Sequence, residues 1–129
     1  MEGTKRKGIE GEKARSLRML IATLESLRRI TDKGSLTLPQ ILTLLTIGMR
    51  GEMPQSDIEG VVQSSGATVS RILWTQLGPD GLNLVSMHVD PLNRRRRIVT
   101  LTPRGQSAIH TMLDVIAKFN HGSAAAATA

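Results

Sequence analysis

The chain has 129 residues, which is enough for one domain with its own hydrophobic core. It contains no cysteine, and this excludes disulfides, thiol chemistry and cysteine-based zinc sites. The formal net charge of +6 favours a polyanionic partner, and the near absence of aromatic residues favours double-stranded DNA over single strands and RNA, whose bases stack on aromatic side chains.

The first predicted element is an amphipathic helix from about Glu10 to Ile30, preceded by a polar stretch over 1–9 that we expect to be disordered. Five apolar residues fall at helical spacing in it: Leu17, Leu20, Ile21, Leu24 and Leu27. This stripe either faces the core of its own subunit or packs against a helix of a second subunit. A break follows at Asp32–Ser35.

Two further helices are predicted before the middle of the chain. Thr37 has the position of an N-cap, with Pro39 in the first turn and Gln40 at the capping-box position. The helix that follows is apolar on most faces, so we expect it to be central, and Gly48 and Gly51 close it. A short third helix is predicted from Gln55 or Ser56 to Val62.

The next predicted unit is a turn over Ser64–Gly66 and a fourth helix from about Gly66 to Leu77. Either Ser64 or Ser65 can cap this helix and leave N–H groups of its first turn available to a phosphate. Ala67, Thr68 and Arg71 share one helical face that fits a DNA major groove.

Several side chains around this helix have more than one interpretation. Arg71 is predicted to contact DNA, and the alternative is a surface ion pair with Glu59 or Asp57. Trp74 is predicted to pack at the edge of the core rather than to line a ligand pocket.

Two strands, predicted at Leu84–Val89 and Arg97–Thr102, flank a hairpin loop that contains Asp90–Asn93 and the arginines. A run of four arginines, Arg94–Arg97, leads into the second strand. Guanidinium groups form bidentate hydrogen bonds with phosphate and can enter a DNA minor groove. A run of arginines without such a context is more often a solvated part of the surface. Their position on a hairpin favours the DNA-contacting interpretation.

A last helix is predicted from Pro103, capped by Thr102, and it fades near Asn120. Its apolar stripe consists of Ile109, Met112, Leu113 and Ile116. The Ala-rich tail over 121–129 is of low complexity and is predicted to be disordered.

Short helices, a tight turn and a basic hairpin follow the order of a winged helix-turn-helix. From about Leu36 to Gly105 the sequence also resembles the MarR-type transcriptional regulators. The resemblance rests on four stretches in order: Asp57-Ile58 with Val62, Ser65 and Thr68-Val69-Ser70-Arg71; Leu77-x-x-x-Gly81-Leu82; Arg95 on the wing; and Leu101-Thr102-x-x-Gly105.

The chain departs from that family's pattern at three points. Asn93 stands where the wing usually has an aspartate that pairs with the arginine at Arg95. Glu59 stands where a small residue is usual, so the helices either pack in a shifted way or the acid points outward. Only one C-terminal helix is expected, whereas the family usually dimerises through its first helix and two C-terminal helices. The family's effector pocket lies at that junction, so the sequence leaves any effector open.

No catalytic triad order, paired carboxylates, metal-ligand spacing or phosphate-binding glycine loop occurs in the sequence, so we expect no enzyme, no metal and no cofactor. No apolar run reaches the ~18 residues that span a bilayer. We therefore expect a cytoplasmic, nucleoid-associated protein without a membrane partner.

The predicted fold is mainly α with a small β-hairpin: a winged helix-turn-helix in one domain over 10–120. Its DNA-binding core is expected over 36–102, and dimerisation helices over 10–32 and 103–120. The predicted function is that of a homodimeric, sequence-specific double-stranded DNA-binding transcriptional regulator. The alternative is a protein-interaction or architectural factor without strong sequence specificity. The predicted DNA contacts are Ser64, Ser65, Ala67, Thr68, Ser70, Arg71, Asn93, Arg94, Arg95, Arg96 and Arg97.

Overall fold

The computed structural model describes residues 6–30 and 36–128, with side chains as far as residue 121. This part of the chain contains, in order, α1 (Gly11–Arg28), α2 (Leu38–Arg50), β1 (Glu52–Pro54), α3 (Gln55–Val62), α4 (Gly66–Arg71), β2 (Val85–Asp90), β3 (Asn93–Leu101) and α5 (Pro103–Thr128). The helix α4 continues without a break into a π-helical segment, Ile72–Gln76. The predicted break at Asp32–Ser35 lies outside the described residues.

The start of α2 is fixed by the predicted capping box. The Thr37 hydroxyl accepts from the Gln40 backbone N–H (3.4 Å), and the Gln40 side chain accepts from the Thr37 N–H (3.0 Å). Gln40 is buried, and its amide nitrogen donates to the side chain of Gln76 at the end of the π-helical segment. One side chain thus begins α2 and joins it to the helix that follows the turn.

The three strands form one antiparallel sheet in the order β1-β3-β2. Met53 pairs with Val99 on one side of β3, and Met87 pairs with the same residue on the other. The sequence did not predict β1, because three residues that include a proline are too short to show strand alternation. Its pairing with β3 joins the end of α2 to the wing hairpin.

The core lies between α2, α3, the α4 segment and the inner face of the sheet. Most of its side chains are aliphatic and fully buried: Leu44, Ile47, Met53, Ile58, Val69, Leu73, Leu77, Leu84, Val85 and Val99. Removing this much apolar surface from water is the main stabilising contribution to the fold.

The helix α1 packs on α5, yet most of its apolar stripe faces solvent. Leu27 is 3% exposed, whereas Leu20 and Ile21 are 54% and 52% exposed. Arg15 is hydrogen-bonded to the carbonyl of Phe119, and its guanidinium lies 5.8 Å from the centre of that ring. The core-facing interpretation of the stripe therefore holds for Leu27 but not for the residues before it.

The C-terminal tail differs from its prediction. α5 continues to Thr128 and includes most of the 121–129 stretch that was predicted to be disordered. Alanine has the highest helix propensity, so a run of alanines extends an existing helix although the sequence is of low complexity. At the other end of the chain, residues 6–10 contain no helix or strand, and 1–5 lie outside the described residues. Within the described part, no helix is both long and apolar enough to cross a membrane.

Candidate nucleic-acid interface

The turn of the helix-turn-helix consists of Gln63, Ser64 and Ser65. Gln63 is left-handed (φ 53°) and ends α3, and the Ser64 N–H donates to the Glu59 carbonyl (3.2 Å). Ser65 is the N-cap of α4, because its hydroxyl accepts from the Thr68 N–H at 3.4 Å. The Ser64 hydroxyl turns instead toward the Val62 carbonyl (3.4 Å). Of the two predicted caps, the structure therefore selects Ser65.

The outer face of α4 carries the predicted contact residues. Ala67 and Arg71 are exposed, and Thr68 and Ser70 are half-buried. The Thr68 hydroxyl lies 3.3 Å from that of Ser65, which holds it at the helix start. The inward face, Val69, Ile72 and Leu73, is buried as predicted.

One residue of this face was not predicted. Thr75 is exposed one turn after Arg71, and its hydroxyl donates to the Arg71 carbonyl (2.7 Å). The spacing from Ala67 to Arg71 to Thr75 was visible in the sequence and is the signal that would have found it.

Arg71 does not form the ion pair that was its alternative role. Asp57 pairs with Arg50 at 3.2 Å, and Arg71 has no ion pair within the described part of the chain. The Glu59 carboxyl lies beside Gly66, 3.4 Å from the position that a Cβ on that glycine would take. Glu59 thus tilts toward the first turn of α4, and the guanidinium of Arg71 is left for an outside partner.

The arginine run lies within β3 and not in the hairpin loop where it was predicted. The turn contains only Pro91 and Leu92. Asp90 pairs with Asn93 and Val89 with Arg97, so three arginines bulge out of the ladder between two paired positions. A bulge bends its strand and redirects side chains. The loop prediction failed because strand register depends on a partner strand, which local sequence does not reveal.

Polar contacts hold the bulge in shape. The Asn93 side-chain oxygen accepts from the Arg95 backbone N–H at 3.2 Å, and Asp90 accepts from the Leu92 N–H at 2.9 Å. Arg96 lies 3.8 Å from the Asp90 carboxylate. Asn93 therefore positions the backbone of Arg95 rather than its guanidinium, and Asp90 stabilises the turn and Arg96.

Arg97 connects the wing to the helix-turn-helix. Its guanidinium lies 5.6 Å from the ring centre of Trp74, in the π-helical segment after α4. Trp74 is half-buried, in agreement with the prediction that it packs at the edge of the core. The contact with Arg97 was not predicted, since nothing local relates two residues so far apart in sequence.

An open cleft of about 460 Å³ lies between the start of α3 and the wing. Its walls are formed by Gln55, Ser56, Glu59, Asn93, Arg95, Arg96 and Arg97. Its three arginines and Asn93 were predicted to contact DNA, whereas the α3 residues were not. Arg94 does not line the cleft.

Several solved structures share this architecture. The S. aureus MepR–DNA complex superimposes with a TM-score of 0.67 at 22% identity, over 90% of this chain and 90% of that one. This chain has the winged helix-turn-helix fold. The transcriptional regulator Tm0710 of Thermotoga maritima gives a TM-score of 0.69 at 18% identity, over 88% of this chain and 75% of that one.

A third similar structure is Bordetella bronchiseptica BpsR, with a TM-score of 0.53 at 22% identity, over 86% of this chain and 83% of that one. No protein-family model and no curated protein matches the sequence. The fold implied by the resemblance to MarR-type regulators is confirmed by these likenesses, and the predicted mainly helical fold with a small hairpin is confirmed with it.

Proposed function

We propose that the protein is a homodimeric, sequence-specific regulator of transcription that binds double-stranded DNA. The observation that carries this proposal is the pairing of two exposed basic elements in one winged helix. Arg71 stands without an ion pair, within the described residues, on the outer face of α4, and four exposed arginines follow one another on the wing.

On this proposal α4 enters the major groove. Arg71 suits the acceptor pair of guanine, and Ala67 and Thr68 present methyl groups that suit thymine. Ser65, Ser70 and the first turn of α4 lie near the phosphates that flank the groove, with Ser64 beside them. Because α4 has a neutral face apart from Arg71, its contacts select sequence rather than add general affinity.

The wing is proposed to bind the sugar–phosphate backbone and the adjacent minor groove. Arg94 and Arg95 take part in no ion pair within the described residues, so their guanidinium groups are available to DNA. Asn93 supports them through the Arg95 backbone. Each phosphate contact releases counterions, which makes the affinity depend on salt.

Dimerisation is proposed to use the exposed stripe of α1. Its members are 39–54% exposed: Leu17, Leu20, Ile21 and Leu24. Leu113 on α5, the helix against which α1 packs, is 52% exposed. Contiguous exposed apolar surface of this kind marks an interaction site, and a two-fold dimer would place two α4 helices on a pseudo-palindromic DNA site.

The similar structures agree with this proposal. MepR is described in complex with DNA, and BpsR is described as a protein whose DNA binding is regulated by 6-hydroxynicotinic acid. A regulator of this type binds chromosomal DNA, so we propose that this protein is cytoplasmic and associated with the nucleoid. We propose no enzymatic activity.

Selection from a randomised duplex pool tests the proposal directly. We expect two inverted half-sites, separated by about one helical turn, and an affinity that falls steeply with salt. If the selection enriches no sequence and the affinity for duplex does not depend on salt, the proposal is overturned and a protein-interaction role is favoured.

Variants of α4 and of the wing distinguish contacts that select the DNA sequence from contacts that bind only the DNA backbone. Arg71→Ala is expected to reduce binding to the selected site by about 5- to 150-fold, because one specific base contact is worth roughly 1–3 kcal/mol, and to change binding to random DNA much less. Arg95→Ala is expected to weaken both duplexes alike and to lower the salt slope by about one. Electrophoretic mobility shifts at two salt concentrations measure both effects, and equal losses on both duplexes for Arg71→Ala would contradict the assignment of α4.

A further inference from the structure

The cleft between α3 and the wing contains more positive charge than a regular strand can direct to one side. Consecutive residues of a strand point to opposite faces of a sheet. Arg95, Arg96 and Arg97 are consecutive, yet all three line the cleft, because the bulge in β3 removes the alternation. The wing therefore forms an arginine-rich wall that suits an oxyanion.

The opposite wall supplies hydrogen-bond acceptors. The Gln55 side-chain oxygen is buried, and among the described residues it has no hydrogen-bond partner. Glu59 lines the same cleft, with a carboxyl oxygen beside Gly66 at the start of α4. A buried acceptor without a donor is unfavourable by roughly 1–3 kcal/mol, so this wall favours a ligand that brings a donor over one that brings acceptors alone.

These two walls select for different parts of one ligand. The arginines require negatively charged oxygens, and Gln55 and Glu59 require a hydroxyl on the same small group. A phosphate that retains a proton has both, since phosphate groups keep a proton on a fraction of molecules near their second pKa of about 6. Sulfate and the phosphodiesters of DNA are fully deprotonated at that pH and would meet the Glu59 carboxylate without a donor.

We propose that this cleft binds a protonated phosphate, either inorganic phosphate or the terminal phosphate of a small monoester. Arg96 and Arg97 hold its oxygens, and its hydroxyl donates to Glu59. The site itself stands apart from the proposed function. Its consequence rests on that function: a phosphate in the cleft engages Arg96 and Arg97 and so competes with DNA for these wing arginines.

The single tryptophan gives a direct readout of the site. The chain has one Trp and no Tyr, and the Trp74 ring lies under the Arg97 guanidinium that lines the cleft. Titrating the full chain at pH 6 and constant ionic strength with inorganic phosphate, glycerol phosphate, sulfate and dimethyl phosphate would follow binding by tryptophan emission and by calorimetry. We expect inorganic phosphate or the monoester to half-saturate the site at a concentration at least about ten-fold lower than sulfate or the diester.

The relative affinities of the site for inorganic phosphate and glycerol phosphate distinguish the possible sources of the ligand. Tighter binding of inorganic phosphate indicates free phosphate, and tighter binding of glycerol phosphate indicates a monoester. Equal half-saturation by phosphate and sulfate would overturn the proposal, because the acceptors would then play no part.

Two neighbouring arginines provide a matched pair of variants. Arg96→Gln is expected to weaken phosphate binding at least ten-fold. Arg94→Gln removes the same charge from the same strand but outside the cleft, so it is expected to lower duplex affinity while it changes phosphate binding less than two-fold. Equal losses of phosphate binding in both variants would show general charge attraction and contradict a built site.

Glu59→Gln tests the acceptor wall. The neutral amide supplies a donor, so we expect sulfate to bind nearly as well as phosphate in this variant, whereas retained discrimination would overturn the role of Glu59. Thermal melting of each variant verifies that the fold is intact. A chain that binds phosphate selectively but no duplex would refute only the proposed function, and a chain that binds duplex but does not select phosphate would refute only this site.

Discussion

Gly105 lies in the first turn of α5, where its Cα approaches the backbone carbonyl of Leu84 at the start of the wing. Its N–H donates to the Thr102 hydroxyl (3.0 Å), and that hydroxyl in turn donates to the Asn83 carbonyl (2.7 Å). A Cβ on Gly105 would overlap the Leu84 carbonyl. The glycine of the Leu-Thr-x-x-Gly motif is therefore explained by close packing of backbone on backbone.

We expect Gly105→Ala to lower the free energy of unfolding by about 2–4 kcal/mol, since backbone on both sides must shift to admit the methyl group. Gly60→Ala is the matched control, because Gly60 lies inside α3 and a Cβ there meets nothing within 4 Å. In that variant the higher helix propensity of alanine should raise stability by about 0.5–1 kcal/mol. Urea denaturation measures both, and a Gly105→Ala protein as stable as the wild type would contradict the packing argument.

At the scale of elements, the wing and the π-helical segment after α4 are linked through Arg97 and Trp74. The link spans β3 and the π-helical segment, and π-helical turns are frequent at functional sites. The Leu77 N–H reaches the Ile72 carbonyl at 2.8 Å across this wider turn, which buries Leu73 and Leu77 and leaves Trp74 at the edge. Arg97 thus joins the wing to the end of the helix proposed to read DNA.

We expect Arg97→Gln to shift tryptophan emission and to lower stability by about 0.5–1 kcal/mol, the usual size of a cation–π contact at an exposed site. The same change at Arg94, which has no aromatic contact within the described residues, should leave the emission of the free protein unchanged. Fluorescence spectra of the wild type, Arg97→Gln and Arg94→Gln, recorded without DNA, test both expectations. Identical spectra for wild type and Arg97→Gln would show that the Trp74 ring is not in contact with the Arg97 guanidinium.

The elements that could be predicted from the sequence are those specified by local signals. The capping residues Thr37 and Ser65 act within one helical turn of their partners, and the helix boundaries near them were predicted correctly. What failed depends on distant partners: β1 exists only through β3, and the bulge of Arg94–Arg96 depends on register with β2. The α3 wall of the cleft was missed for the same reason, because only the fold brings Glu59 next to the wing.

At the scale of the whole molecule, charge and apolar surface are divided between different regions. The wing arginines and Arg71 belong to the central part of the chain, and the exposed leucines of α1 belong to its N-terminal helix. In the proposed function, this separation lets one surface bind a polyanion while another joins two subunits. A monomer has a single α4, so in the proposed function the dimer supplies the second half-site contact and multiplies affinity through effective concentration.

We therefore expect Leu20→Gln combined with Ile21→Gln to dissociate the dimer. Both side chains are about half exposed in the single chain, and burial of a large aliphatic side chain at an interface contributes about 1.5–3 kcal/mol, so the loss in two subunits should raise the dissociation constant by at least about 100-fold. Leu92→Gln is the control for assembly, since Leu92 is 96% exposed in the wing turn. Sedimentation velocity over a range of protein concentrations measures the assembly. In the double variant, binding to a two-half-site duplex should fall to the level of a single half-site, while the wild-type sedimentation profile in that variant would place the subunit contact elsewhere than α1.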